Sequence, residues 1–168
     1  MAALRAETGE TVNLAAVQRW RIVYVSILDG VHALRINSEV GDVVPPHATA
    51  IGKAILAALP RDQRSVFLGE EPYARYTDRT ITLRTPLEQT LSRSLKRGFA
   101  TEYQEIAGGS VCIGAPIFGA DGYPVAAISV SAVTARLPRK EFPALGRSVR
   151  SAADRISADL AATAGAVS

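Results

Sequence analysis

The sequence is poor in the residues that build metal sites and disulfide frameworks. Its 168 residues include one cysteine, Cys112, and two histidines, His32 and His47. A single thiol excludes an internal disulfide and a thiolate-rich zinc site, and it favours a reducing compartment. Two histidines without the HExxH spacing are too few for a multi-histidine site. We therefore expect no metal and no cofactor.

A long apolar run is also missing. No uninterrupted apolar stretch reaches the ~18 residues that a membrane-spanning helix needs. The N-terminus carries Arg5, Glu7 and Glu10 where a signal peptide has an apolar core. We expect a protein without a membrane segment, located in the cytoplasm.

Charge of one sign is not in large excess. Lysine and arginine number 19 and aspartate and glutamate 16, so the formal net charge is +3. The basic residues are spread along the predicted helices beside acidic and apolar ones, whereas binding to nucleic acid needs a clustered basic surface. We expect that this chain alone has no sequence-specific affinity for DNA.

What is present is the composition of one globular domain. The chain is 48% hydrophobic and 21% charged, so it has the means to bury a core. Its length lies within the range of about 100 to 200 residues that a single core usually spans. No internal repeat and no long linker divides it. The prediction is one domain over residues 1–168.

The apolar patterning predicts an α+β protein. Strands are predicted at residues 11–17, 20–27, 31–36, 99–102, 111–118 and 124–133. Helices are predicted at 48–59, at 62–68, from the capping-box pattern at 85–88 to a stop at Gly98, and from about Arg139 onwards. Because consecutive hairpins make antiparallel neighbours, we expect an antiparallel β-sheet flanked by helices.

No catalytic motif is complete. Gly52-Lys53 lacks the other residues of a phosphate-binding loop, and neither GxGxxG nor GxSxG occurs. Cys112 and His47 form a nucleophile and its base only if the fold brings them together. Cys112 lies in the apolar run VCIGAPI, where a thiol is usually a small buried hydrophobe. Glu102 and Glu105 suggest an acid/base pair, although a solvated loop edge explains them as well.

The start of the helix at 48–59 is the clearest chemical feature. Pro45 and Pro46 lead into a first turn that offers uncapped backbone N–H groups and the positive end of the helix dipole. These groups suit a carboxylate or a phosphate.

Two serines form a second polar feature. Ser129 and Ser131 alternate with Val130, so both project from one face of a strand, where their hydroxyls can orient a small polar ligand. Cys112 on the partner strand shares that face in this interpretation. A solvated face of the sheet explains the two serines equally well.

Four segments form a longer pattern: GETVNLAAV, VPPHATAIGKAILAALP, RGFATEYQEIAGGSVCIGAPIF and GYPVAAISVSAVTARL, at residues 9–17, 44–60, 97–118 and 122–137. The most specific part is HATAIGKAILA, followed by a pattern at Gly98, Ala100, Glu105, Gly109, Cys112, Gly114 and Pro116. From about Glu7 to Leu160, the chain resembles the effector-binding domain of the IclR family of bacterial transcriptional regulators.

The resemblance implies a GAF-like fold with a pocket for a small organic or aromatic acid. In the family, the carboxylate of the effector meets backbone amides at the helix start, here Ala50 and Ile51. The resemblance further implies a polar end formed by Glu102, Cys112, Ser129 and Ser131, and a wall shaped by Ala33, Ile36, Val44 and Ser110.

The resemblance also implies partners. Effector domains of the family pair, which implies a homodimer or tetramer. Family members reach operator DNA through an N-terminal winged helix-turn-helix that is not in this chain, so we expect an excised effector domain or a naturally short homologue. The leading hypothesis is a sensor without catalysis. A small GAF-like enzyme using Cys112 and a purely structural dimerisation domain are the alternatives.

Overall fold

A computed structural model describes residues 1–33 and 38–165. In this part of the chain, five strands form one sheet in the order β2-β1-β5-β4-β3, and all neighbouring strands are antiparallel. The strands are β1 (Thr11–Gln18), β2 (Arg21–Leu28), β3 (Ala100–Tyr103), β4 (Ser110–Phe118) and β5 (Pro124–Val133). The predicted α+β class with an antiparallel sheet is confirmed.

The helices pack on both faces of the sheet. They are α1 (Ala2–Thr8), α2 (Ala50–Ala58), α3 (Arg64–Leu68), α4 (Arg84–Arg97) and α5 (Phe142–Gly165), with short 3-10 turns at Arg61–Gln63 and Arg139–Glu141. Helix α1 was not predicted, because only Leu4 of it is buried. None of the helices in the described ranges has the length and apolarity to cross a membrane.

The first hairpin forms as predicted, but its turn lies one residue later. Arg19 and Trp20 both have positive φ, 46° and 65°, which is the backbone of a tight hairpin turn. The third predicted strand is wrong over residues 31–33, which form a bend. Its remainder, including Ile36, lies outside the described residues.

The predicted capping box before α4 is wrong. The N-cap of α4 is Leu83, which has extended backbone and no side-chain hydrogen bond, and Thr85 already lies within the helix. The Glu88 carboxylate accepts a hydrogen bond from Arg64 instead of capping the helix. Glu88 therefore takes part in a tertiary ion pair and does not complete the capping box. The stop at Gly98 is confirmed, with φ at 79°.

The two faces of the sheet bury different side chains. One face packs against α5 through an apolar cluster that includes Ile113, Val130 and Val149. The other face packs against α2 and α4 through a second cluster that includes Ala127, Ile51 and others. Polar side chains are concentrated on this second face, beside the start of α2.

Candidate functional site

A cavity lies between the start of α2 and the centre of the sheet. Its volume is about 300 Å³, at the lower end of the range of ~300 to 1,000 Å³ common for small-molecule pockets. It is lined by Tyr24, Ser38, Asp42, Val43, Pro45, Thr49, Ala50, Ile51, Ile106, Ala107, Cys112, Ser129 and Ser131.

The first turn of α2 contributes backbone donors to this cavity. Thr49 is the N-cap, and its hydroxyl accepts a hydrogen bond from the Gly52 N–H. The expectation of a fully uncapped turn is therefore wrong, because the Thr49 side chain satisfies one amide. Ala50 and Ile51 occupy the first two helical positions, whose N–H groups have no partner within a helix. These two residues line the cavity.

A glycine on β4 lets the sheet approach the helix start. A Cβ added at Gly114 would lie 2.9 Å from the backbone carbon of Ala50 and 3.1 Å from the nitrogen of Ile51. The first distance is shorter than real Cβ contacts with backbone atoms, and the second is tighter than nine in ten of them. The absence of a side chain at Gly114 therefore sets how closely the two amides lie to the sheet.

The floor of the cavity carries the two predicted serines, and a buried asparagine lies behind them. Ser129 and Ser131 on β5 both line the cavity, so they share one face as expected from their spacing. Asn13 on the neighbouring strand β1 is fully buried and donates from Nδ2 to Ser131 Oγ at 2.9 Å and to Ser129 Oγ at 3.4 Å. The serine hydroxyls are thus part of a network that reaches into the sheet.

Cys112 lines the same cavity from β4. Its thiol hydrogen bonds to Ser131 Oγ at 3.1 Å. Burial raises the pKa of the thiol well above its usual range, and the nearby Glu102 carboxylate raises it further. The thiol is therefore protonated near neutral pH, which does not suit a nucleophile.

His47 does not supply the base that a Cys112 nucleophile needs. Its Nε2 lies 2.8 Å from the carbonyl oxygen of Ala74, and its ring stacks against Tyr76 and lies near Tyr73. Burial lowers the pKa of His47. The imidazole is engaged by these groups, and it does not line the cavity.

Buried charges lie behind the cavity. Lys53 on α2 is fully buried and forms an ion pair with Glu105. Glu102 is fully buried as well; its Oε1 accepts hydrogen bonds from the backbone N–H groups of Glu105 and Ile106, while its Oε2 has no hydrogen-bond partner among the residues that the structure describes. Burial raises the pKa values of Glu102 and Glu105. The alternative of a solvated loop edge is wrong, since both carboxylates are buried.

The far side of the cavity is formed by Tyr24, Ser38 and Asp42. Burial raises the pKa of Tyr24 to about 12, so the phenol is neutral at physiological pH. Asp42 is exposed and accepts a hydrogen bond from the backbone of Glu39. The cavity therefore has acceptors at its rim and donors at the start of α2.

The structure brings together five of the ten residues that the sequence assigned to the site: Ala50, Ile51, Cys112, Ser129 and Ser131. Glu102 is adjacent, since it pairs across the ladder with Cys112. Ala33 is exposed in a bend, and Val44 and Ser110 are buried but do not line the cavity. Ile36 lies outside the described residues.

Sequence reasoning missed Asn13, Tyr24 and Lys53. Asn13 is a polar residue in the otherwise apolar run TVNLAAV, and Lys53 interrupts the run AIGKAILAA. A polar residue on a buried face needs a partner, so these interruptions were the available signal. Their partners lie on other strands and loops, which the sequence does not reveal. The described residues contain no group of three or more His, Cys, Asp or Glu side chains placed to hold a metal.

Comparison with known proteins shows that the chain matches one protein family. The family profile described as bacterial transcriptional regulator IclR C-terminal matches residues 1–158. The chain is similar to the regulator KdgR of Escherichia coli, with 33% identity over 153 residues, which cover 91% of this chain and 58% of KdgR. It spans less than two thirds of that relative.

Solved structures agree with this result. The fold is similar to the crystal structure of IclR from Thermotoga maritima, with a TM-score of 0.89, 32% identity, and coverage of 95% of this chain and 65% of that one. It is also similar to the C-terminal domain of E. coli KdgR, with a TM-score of 0.83, 31% identity, and coverage of 96% and 93%.

Proposed function

This chain belongs to the family of C-terminal domains of IclR-type bacterial transcriptional regulators, and from that premise we propose that its cavity binds a small carboxylic acid effector. The domain is a regulatory effector-binding module. The more specific part of the proposal is that the effector is a carboxylic acid. A cavity of about 300 Å³ is compatible with either an aromatic or an aliphatic acid.

The observation that carries the proposal is the donor cluster, which we define as the N–H groups of Ala50 and Ile51 with the hydroxyls of Ser129 and Ser131. These four residues line one cavity. Backbone amides at a helix start favour an anion through the helix dipole and through their missing partners. An ionised carboxylate only accepts hydrogen bonds, so it matches a cluster of donors.

The proposal extends to the whole regulator. An effector changes DNA binding only as far as it prefers one of two states of the protein. We infer that the acid biases a DNA-binding segment outside this chain, in a cytoplasmic homodimer or tetramer, as the family resemblance of the sequence implies. Catalysis is not part of the proposal, because Cys112 is protonated and His47 is held elsewhere.

A thermal-shift screen against small carboxylates and their methyl esters tests the proposal. A ligand at about one hundred times its Kd stabilises a two-state domain by ~2.7 kcal/mol. We expect acids to raise the melting temperature and their methyl esters to fail, because esterification removes the charge that the helix start favours. A panel in which no acid binds contradicts the proposal and leaves the structural dimerisation domain as the better account.

A double variant locates the site. Replacing Ser129 and Ser131 together by Ala removes two hydrogen bonds to a charged ligand that are worth ~1.5 to 3 kcal/mol each, so affinity for a bound acid falls at least about a hundredfold. Ser94→Ala is the matched control, since Ser94 is equally buried but bonds only within α4. Unchanged affinity in the double variant places the acid elsewhere.

A further inference from the structure

We propose that Asn13 is a specificity-determining residue of the cavity: its carboxamide fixes the direction of the Ser129 and Ser131 hydrogen bonds, so that both hydroxyls donate to the ligand and select an acid over its amide. This inference rests on the function proposed above. Asn13 does not line the cavity. It is therefore a positioning residue that acts through the serines.

The geometry assigns one donor to each serine. Asn13 lies on β1, directly opposite Ser129 of β5 in the ladder. An amide nitrogen carries two hydrogens, and Nδ2 of Asn13 donates to Ser131 Oγ and to Ser129 Oγ. Each serine oxygen thus receives a hydrogen from inside the sheet.

Receiving a hydrogen decides what each serine presents to the cavity. A hydroxyl oxygen has two acceptor positions and one hydrogen. Ser131 Oγ accepts from both Asn13 and Cys112, so both of its acceptor positions are used. Within residues 1–33 and 38–165, neither serine donates its hydrogen to another protein group. The hydrogens of Ser129 and Ser131 are therefore available to a ligand.

The donors of α2 complete the selection. The N–H groups of Ala50 and Ile51 cannot change role, whereas a serine hydroxyl can either donate or accept. Without Asn13, the hydroxyls are free to turn and present lone pairs. With Asn13, Ser131 Oγ has no acceptor position left for the cavity and Ser129 Oγ has one fewer, so the donor cluster favours a ligand that accepts hydrogen bonds. A carboxylate satisfies it, while a primary amide of the same shape brings its own N–H groups against donors.

If the Asn13 carboxamide had the opposite orientation, the expected preference between acid and amide would be reversed. If Oδ1 of Asn13 accepted from the serine hydroxyls, their lone pairs would face the cavity and an amide would bind at least as well as an acid. Oδ1 is buried and has no hydrogen-bond partner within residues 1–33 and 38–165. Ligand preference distinguishes the two arrangements directly.

The test compares two acids with their primary amides: benzoate with benzamide, and acetate with acetamide. Binding to the 168-residue chain is measured by calorimetry and by NMR shifts of the Ala50 and Ile51 amides. We expect the parent to prefer the acids. In Asn13→Asp, the carboxylate accepts from both hydroxyls and reverses their direction, so the preference passes to the amides and acid affinity falls at least about a hundredfold.

Asn13→Leu and Thr11→Val complete the series. Asn13→Leu removes the hydrogen bonds that orient the two serine hydroxyls but does not reverse their direction. The acid-to-amide preference therefore falls about tenfold. Thr11 is buried two residues earlier on the same face of β1, but its hydroxyl accepts from the Gly30 N–H and not from a serine. Thr11→Val therefore lowers stability at most and leaves the preference unchanged.

The outcomes separate this inference from the proposed function. An unchanged preference in both Asn13 variants overturns the inference, as does a parent that prefers the amides or binds neither acid. The proposed function fails only when the whole panel of carboxylates fails to bind. If thermal unfolding shows that Asn13→Asp does not fold, Asn13→Leu decides alone, and retention of the parental preference overturns the inference.

Discussion

The two faces of the sheet are built from the same strands but bury different kinds of side chain. The face against α5 buries apolar side chains from alternate positions of β4 and β5, such as Ile113 and Val130. The face against α2 buries polar groups at the positions between them, such as Cys112 and Ser131. Since successive side chains point to opposite faces of a strand, each strand serves both purposes.

The difference shows where binding capability costs stability. A close-packed apolar face gains stability with every buried methylene group. The polar face encloses Asn13 Oδ1, Glu102 Oε2 and Glu105 Oε2, which have no hydrogen-bond partners in the described part of the chain. Buried polar atoms of this kind are unfavourable. Four sets of variants test this difference between the two faces.

The largest effect is expected at the buried ion pair of the polar face. Glu105→Gln leaves Lys53 charged and unpaired in the interior, which costs ~3 to 5 kcal/mol. Lys53→Met combined with Glu105→Gln removes both charges and recovers most of that loss. Urea unfolding of the parent, both single variants and the double variant measures the coupling. A loss below ~1 kcal/mol for Glu105→Gln is the value of an exposed pair and contradicts this account.

On the apolar face, Ile113→Ala is expected to affect stability alone. Ile113 is fully buried, and its truncation leaves a cavity that costs ~2 to 5 kcal/mol, against ~0.5 to 1.5 kcal/mol for Ile113→Val. Acid affinity of the folded variant should match that of the parent, because the side chain points away from the cavity. A change in affinity without a change in the fraction folded shows that the two faces are coupled.

Gly114→Ala affects both stability and binding. The new Cβ meets the backbone of Ala50 and Ile51, so the start of α2 must shift, at a cost of ~1 to 3 kcal/mol for overpacking. Calorimetry should show weaker acid binding, because the two amides have moved. Gly108→Ala is the control, since a Cβ there meets nothing within 4 Å. Unaltered affinity in Gly114→Ala argues against the amides as ligands.

The smallest effect concerns pH. Burial raises the pKa of Glu102 above its ordinary value, although the backbone N–H groups of Glu105 and Ile106 and the charge of Lys53 oppose the shift. The folded chain therefore keeps a proton that the unfolded chain has lost, so the free energy of unfolding falls as pH rises from the ordinary to the raised pKa. Glu102→Gln should flatten this slope in urea titrations, and the exposed Glu70→Gln should not.

The order of elements was largely predictable. The hairpins at β1-β2 and β4-β5 and the stop of α4 at Gly98 depend on neighbouring residues, so local patterns reveal them. The capping box at Thr85 failed because Glu88 pairs with Arg64, 24 residues away. A local pattern therefore fails to predict the start of a helix when one of its residues pairs with a side chain far away in the sequence.

About half of the candidate site could be predicted from the sequence. Ala50, Ile51, Ser129 and Ser131 follow from the helix start and from alternation along one strand. Asn13 does not, because it lies 118 residues from Ser131 and meets it only where β1 pairs with β5. Val44 and Ser110 were assigned to the cavity wall, yet the structure buries them outside its lining.

Local sequence accounts for most of the helices and strands, for both hairpins and for the absence of a cysteine framework, because short-range sterics, alternation and composition govern these features. It does not account for the pairing of β1 with β5, for the approach of the sheet to α2 at Gly114, or for the position of Asn13 behind two serines. These arrangements depend on contacts between residues far apart in the chain, where burial and hydrogen bonding, not local propensity, select the partner.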